Sequence, residues 1–215
     1  MTDTPQRLAI FDFDGTMAPG DSIVYLLRYA WKKGKLRPRD IPLLLPAAIL
    51  GNVEKTVERG KSLALRFMRR INQEDQQAFF TDFVQHDLLP RLYPAAIKRM
   101  MQHRAQGDLI LIVSASTDCY MALLKNFLPV HAVLSTPVDA LGRVTHNCRG
   151  PEKVRRVQAW LKENGVEADF ANSCAYGDSP SDAYVGRLTG NPVCVNAKKE
   201  LIRRNPDWQQ EDWRS

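Results

Sequence analysis

Leu8-Ala9-Ile10-Phe11-Asp12-Phe13-Asp14-Gly15-Thr16 decides how the rest of the chain is read. Four apolar residues predict a short strand buried on both faces. The run then stops in acid, with Asp12 and Asp14 followed by Gly15. Side chains two apart on an extended backbone point the same way, so both carboxylates are expected to face one spot beyond the strand's carboxyl end. Open α/β sheets bind ligands there. Two carboxylates aimed at one spot repel unless a cation or a shared proton relieves them. A polar turn that merely caps a strand is the plainer reading of these nine residues.

Downstream, the pattern first turns helical. Asp21 or Ser22 can cap a helix over residues 23–33, with Lys32 and Lys33 in its last turn and Gly34 as the stop. The apolar run Ile41 to Leu50 follows, then helical patterns over 54–70 and 73–89. Nothing between residues 21 and 90 predicts a strand. A helix over 94–106 leads into the apolar strand 109–113, which is expected to end at Ser114, and a helix over 117–127. Short strands are expected at 132–135 and around Val144, and a helix opens at Pro151 and runs to Glu163. A strand over 172–176 ends in Gly177-Asp178. A helix over 180–189, a strand over 192–195 and a helix over 198–204 complete the order. Alternating strands and helices predict an α/β fold with a Rossmann-like parallel sheet and right-handed crossovers. The helical segment is then an insert: residues 1–20 and 90–215 form the α/β core, and 21–89 a small helical cap.

Composition narrows the function. At 215 residues, with 44% hydrophobic and 25% charged residues, the chain reads as an ordinary globular protein. A net charge of +6 suits anionic substrates or surfaces without calling for nucleic acid. The four cysteines are widely spaced and read as reduced thiols of a cytoplasmic protein. Residues 1–7 are polar, with no secretory signal expected. The ten-residue run Ile41 to Leu50 holds two prolines and is shorter than the roughly 20 residues a membrane span requires.

In a parallel sheet, Asp12, Asp14, Ser114 and Asp178 lie at strand ends on one edge. Their chemistry is complementary. A carboxylate can attack phosphorus. A second, kept protonated in a dry pocket, can give its proton to a leaving oxygen. A hydroxyl and a lysine can hold phosphoryl oxygens, and clustered carboxylates suit Mg²⁺. Taken singly, Ser114 is a turn former, Lys153 a solvated helix start, Asp182 a surface charge and Asp178 a helix cap. Their joint order carries the reading.

The order Asp12-Phe13-Asp14-Gly15-Thr16, Ser114, Lys153 and Gly177-Asp178-Ser179-Pro180-Ser181-Asp182 resembles the four motifs of the haloacid dehalogenase superfamily, across the whole chain. The helical insert is similar to the cap of its phosphoserine-phosphatase-like branch, subfamily IB. The resemblance implies a Mg²⁺-dependent phosphomonoester hydrolase. Asp12 would be the nucleophile and Asp14 the general acid and base. Ser114, Lys153 and Ser181 would bind phosphate. Thr16 and Asp182 would support them. Asp12, Asp178 and the backbone carbonyl of Asp14 would hold Mg²⁺. Asp21 either matches the substrate-recognising glutamate of phosphoserine phosphatases or only caps its helix. Ala115-Ser116 stands where that relative has two glycines, and Ser179-Pro180-Ser181 replaces its small turn, so a small phosphorylated metabolite is expected as substrate, with phosphoserine itself kept as an alternative. Phosphatidylglycerophosphate phosphatases are similar in the run Cys148 to Val154, which raises a phosphorylated lipid as the alternative. A phosphomutase or a receiver-type phospho-acceptor switch is more remote. Lys32, Lys33, Lys35, Arg37 and Arg39 beside the apolar run would allow transient contact with an anionic membrane surface. The simpler reading packs that run inside the cap.

Overall fold

The computed structural model describes residues 4–37 and 54–214. Six parallel strands form one sheet in the order β3-β2-β1-β4-β5-β6. They are β1 (Leu8–Phe11), β2 (Leu109–Thr117), β3 (Ala132–Thr136), β4 (Cys174–Gly177), β5 (Asn191–Val195) and β6 (Gln209–Glu211). β1 lies inside the sheet, with Phe11 beside Ile112 of β2 on one flank and Tyr176 of β4 on the other. The chain winds outward from β1 through β2 to β3, then returns to place β4 on the opposite side. The order reverses between β1 and β4, and a crevice opens at such a reversal beyond the strand ends.

The fully apolar β1 follows from burial on both faces. Ala9 and Phe11 face one core, Leu8 and Ile10 the other. The Leu8 side is closed by α6 (Pro151–Glu163) through Val157 and Leu161, and by Val185 of α7 (Ala183–Gly186). The Phe11 side is closed by α4 (Pro94–Ala105) through Ala96 and Met100. The same core takes in Leu26, Tyr29 and Ala30 of α1 (Ser22–Lys32) and Phe80 and Phe83 of α3 (Gln73–Phe83). Between α1 and α3 in sequence lies α2 (Glu54–Ala64). All the described structure between residues 21 and 90 is helical or turn.

Local chemistry sets several boundaries. Asp21 caps α1, its Oδ1 accepting from the Ile23 N–H at 3.0 Å, and Gly34 (φ 67°) follows the helix end. Pro151 stands at the first turn of α6 as expected. Helix 54–70 is α up to Ala64 and 3₁₀ over Leu65–Arg70, and the 73–89 helix passes into a π turn over Val84–Leu88.

Four expectations change. β2 continues to Thr117, its pairing with β3 losing register between Val113 and Thr117, so Ser114 sits within an irregular strand. The helix over 117–127 shortens to α5 (Asp118–Met121) and a 3₁₀ turn, and that over 180–189 to α7. Val144 makes an isolated antiparallel bridge to Val138. The tail adds β6, whose three polar residues carry no apolar signal. Its anchors are side chains: Glu211 accepts from Arg99 at 2.8 and 3.0 Å and from the Trp213 indole at 2.7 Å. After β5 the last helix is α8 (Lys199–Arg204). No described helix is long and apolar enough to cross a membrane. Arg39 and the run Ile41 to Leu50 lie outside the described residues.

Candidate active site

The loop after β1 turns sharply. Met17 and Ala18 N–H groups both reach the Phe13 carbonyl, at 2.8 and 3.2 Å, and Gly15 adopts φ 83°. A Cβ on Gly15 would stand 2.6 Å from Asp178 Oδ2, so only glycine allows this approach. Asn196 fastens the loop from the far side of the chain, its Nδ2 donating to the Gly15 carbonyl at 3.2 Å.

Five of the expected residues converge on one buried cluster. Lys153, 2% exposed, sends its ammonium to Asp12 Oδ1 at 2.6 Å and Asp182 Oδ1 at 2.7 Å. Thr16 Oγ1 donates to Asp12 Oδ2 at 3.0 Å. Asp182 Oδ2 accepts from the Ser179 N–H and hydroxyl at 2.9 and 2.7 Å. Asp178 completes the group, with carboxylate oxygens of Asp12, Asp178 and Asp182 within 4.8 Å of one another. Lys198, largely exposed, approaches Asp178 at 3.3 Å.

Charge explains the titration of the cluster. Burial disfavours every charged form here. Burial works against the Lys153 charge, but Asp12 and Asp182 hold its pKa above the ordinary value. Burial would likewise raise Asp182, but the Lys153 ammonium and the Ser179 hydrogen bonds hold it below the usual range. Asp12 is pushed up to about 8, by burial and then by the Asp182 charge, with Lys153 opposing. Asp178 is also raised, by burial and then by Asp182. Asp12 and Asp182 share one buried ammonium, Asp178 meets the exposed Lys198, and the unrelieved charge falls on Asp12 and Asp178. Oxygen donors with surplus negative charge fit a hard divalent cation.

Asp14 stands apart from that cluster. Its Oδ1 accepts the Ser22 N–H at 2.8 Å, at the first turn of α1, and its Oδ2 accepts the Ser116 hydroxyl. Burial and the Asp21 charge push it up to about 6, while the two serines pull the other way. Asp14 therefore offers no side-chain oxygen to the three-carboxylate group. Both acids still line one cleft, with Asp21, Ser114, Ser181, Lys153 and Asp178. Ser114, 1% exposed, accepts the Ser116 N–H at 3.0 Å, and Ser181 reaches the Ser179 hydroxyl at 2.8 Å.

Lys61 of α2 enters the same cleft without any sequence signal. Its ammonium meets the Ala115 carbonyl at 2.5 Å and Asn147 Oδ1 at 2.7 Å, and burial lowers its pKa to about 8. A lone lysine on a polar helix reads as solvated; only the fold brings it to the strand ends. The contact of Ser116 with Asp14 likewise has no sequence signal, because Ser116 lies within an irregular strand.

A family model described as haloacid dehalogenase-like hydrolase matches residues 9–187, from β1 through the Asp178–Asp182 turn. The chain belongs to this family. Among relatives of the hydrolase, a histidinol-phosphatase of Neisseria meningitidis is 25% identical over 214 residues, covering 91% of this chain and 93% of that protein. A solved protein of unknown function from Bordetella pertussis Tohama I superposes with TM-score 0.85 at 23% identity, covering 98% of this chain and all of the other. A phospho-aspartyl intermediate analogue of phosphoserine phosphatase superposes with TM-score 0.62 at 16% identity, covering 97% and 94%. These two likenesses are of fold, a Rossmann-like parallel sheet with helices on both faces.

Proposed function

We propose that this haloacid dehalogenase-like hydrolase is a Mg²⁺-dependent phosphatase of a small phosphorylated metabolite, working through an aspartyl-phosphate. The observation that carries the reading is the pair of acids on one cleft in opposite settings. Asp12 is gripped by Lys153 inside a three-carboxylate group, while Asp14 is held by neutral donors. The Lys153 ammonium steadies the charged, attacking form of Asp12, and Asp14, pushed up to about 6, is placed for proton exchange near neutrality. The relatives named as phosphatases support the ester class.

In the first step an Asp12 oxygen attacks phosphorus. The bond from phosphorus to the ester oxygen breaks, and its electron pair leaves with that oxygen. Asp14 gives the departing oxygen its proton, releasing an alcohol. In the second step the Asp14 carboxylate takes a proton from water as the water oxygen attacks phosphorus. The bond to Asp12 breaks, phosphate leaves, and both acids return to their starting state. Lys153, Ser114 and Ser181 bind the phosphoryl oxygens, and Lys153 offsets their charge. Asp12, Asp178 and the Asp14 backbone carbonyl would hold Mg²⁺, which would supply charge neutralisation and favour the ionised form of Asp12. Thr16 and Asp182 orient Asp12 and Lys153. Residues 21–89 act as the cap that screens the cleft from water, and Asp21, beside Lys61 on its wall, contacts the leaving group.

Phosphate release from p-nitrophenyl phosphate and a panel including histidinol phosphate and phosphoserine, with Mg²⁺ and with a chelator, tests this. Release that requires Mg²⁺ and is strongest for one compact ester is expected. No release from any member, or release indifferent to chelation, contradicts the proposal.

A further inference from the structure

Asp14 is joined to more hydroxyls than a surface acid needs. Ser116 donates to its Oδ2. Because that proton is committed, the Ser116 oxygen is left to accept from Ser22 Oγ at 2.8 Å. Ser22 Oγ in turn lies 2.8 Å from the Tyr120 hydroxyl. The consistent proton order runs Tyr120 to Ser22 to Ser116 to Asp14, every donor pointing toward the carboxylate. Aligned donors in a low-dielectric site polarise one another. All three are enclosed: Ser22 and Tyr120 are fully buried and Ser116 is 4% exposed.

The members come from three separate elements. Ser116 lies where β2 loses register with β3, an irregularity that re-aims side chains beside a site. Ser22 begins α1, and its own N–H holds Asp14 Oδ1. Tyr120 lies on α5, edge-on to Phe83 of α3. Asp14 is therefore fixed at both oxygens, one from a helix start and one from the end of the hydroxyl row.

Building on the assignment of Asp14 as general acid and base, we propose that Ser116, backed by Ser22 and Tyr120, is a positioning residue that keeps the Asp14 carboxyl turned toward the leaving oxygen. Without the Ser116 hydroxyl, Oδ2 loses its partner and the carboxyl rotates about its one remaining bond. Proton donation demands this alignment and substrate binding does not.

The experiment compares p-nitrophenyl phosphate, whose leaving group needs little protonation, with phenyl phosphate, whose leaving group needs more. Phosphoenzyme formation is followed by rapid quench with radiolabelled substrate, and thermal unfolding monitors the fold. Ser116→Ala is expected to lower kcat for phenyl phosphate by roughly 10- to 100-fold, the range of a weakened acid–base contribution, with KM unchanged. Phosphoenzyme formation from p-nitrophenyl phosphate stays near wild type, and its breakdown slows in step with kcat. Ser22→Ala and Tyr120→Phe give successively smaller losses, following their distance along the row, and Ser116→Thr restores the rate. Equal slowing of phosphoenzyme formation from the two substrates, a change confined to KM, or loss without the graded order overturns the positioning role. Asp14→Asn is measured alongside. If it shows the leaving-group split and Ser116→Ala does not, the positioning role alone fails. If Asp14→Asn shows no split, the assignment of Asp14 itself fails.

Discussion

Lys153 is the residue on which the site's stability turns. Its ammonium is the one charge shared by Asp12 and Asp182 at 2.6 and 2.7 Å, in a place 2% exposed. Removing one partner of a buried ion pair strands the others, at a cost of about 3–5 kcal/mol. Lys153→Met is expected to lower the unfolding free energy by that order at pH 8, measured by urea denaturation. The loss should shrink at pH 5, where Asp12, raised toward 8, already carries a proton. The proposed Mg²⁺ binding would respond to the same charge. A cation needs the carboxylate ionised, so it must displace the Asp12 proton below about pH 8. Affinity should fall as pH drops from 8 to 6, with proton release seen by calorimetry in buffers of different ionisation enthalpy. A pH-independent affinity would contradict the raised Asp12. Most of these residues were legible beforehand because a strand end or helix start announces its own position. Lys61, Ser116 and Asn196 were not, because each reaches the site by a contact distant in sequence. Lys61 meets Asn147, Ser116 meets Asp14, and Asn196 meets Gly15.

At the scale of elements, α1 and α3 share one apolar core with β1, β2 and β4. Leu26, Phe80 and Phe83 join Phe11, Ile112 and Tyr176 in it. Residues 21–89 were expected as a separate cap, and we propose that this cap keeps its place over the cleft through that common core. Phe83, fully buried, packs edge-on to Tyr120 at 5.5 Å. Phe83→Ala is expected to cost about 3–5 kcal/mol and to lower the melting of the whole chain in one transition, followed by calorimetry. A separate early transition would mean that the insert unfolds alone. β1 and the first part of β2 could be read in advance because both faces are buried and the apolar run is unbroken. β6 could not, because its pairing with β5 is secured by Arg99 and Trp213 on Glu211. The shortening of the 117–127 helix likewise had no warning, since its apolar residues suit either outcome.

Over the whole molecule, the winding outward from β1 in both directions puts Asp12, Asp14, Asp178 and Lys153 around one crevice. The sequence carried that convergence through the order of its motifs, and the family match extends over residues 9–187. It did not carry the substrate, which is set by what the cleft wall presents. The net charge of +6 is screened over about 8 Å at physiological salt. Co-sedimentation with anionic liposomes at that salt is therefore expected to leave the protein in solution; binding there would favour a phosphorylated lipid as substrate. In the proposed reaction, phosphate passes through Asp12. Its direct measurement is acid-quenched peptide mapping of the Asp14→Asn variant after radiolabelled p-nitrophenyl phosphate and Mg²⁺, where formation needs little protonation and the intermediate is expected to accumulate. Stable label is expected on the peptide containing Asp12, and none when Asp12→Asn is added. Label on another residue, or undiminished turnover by Asp12→Asn, would contradict it.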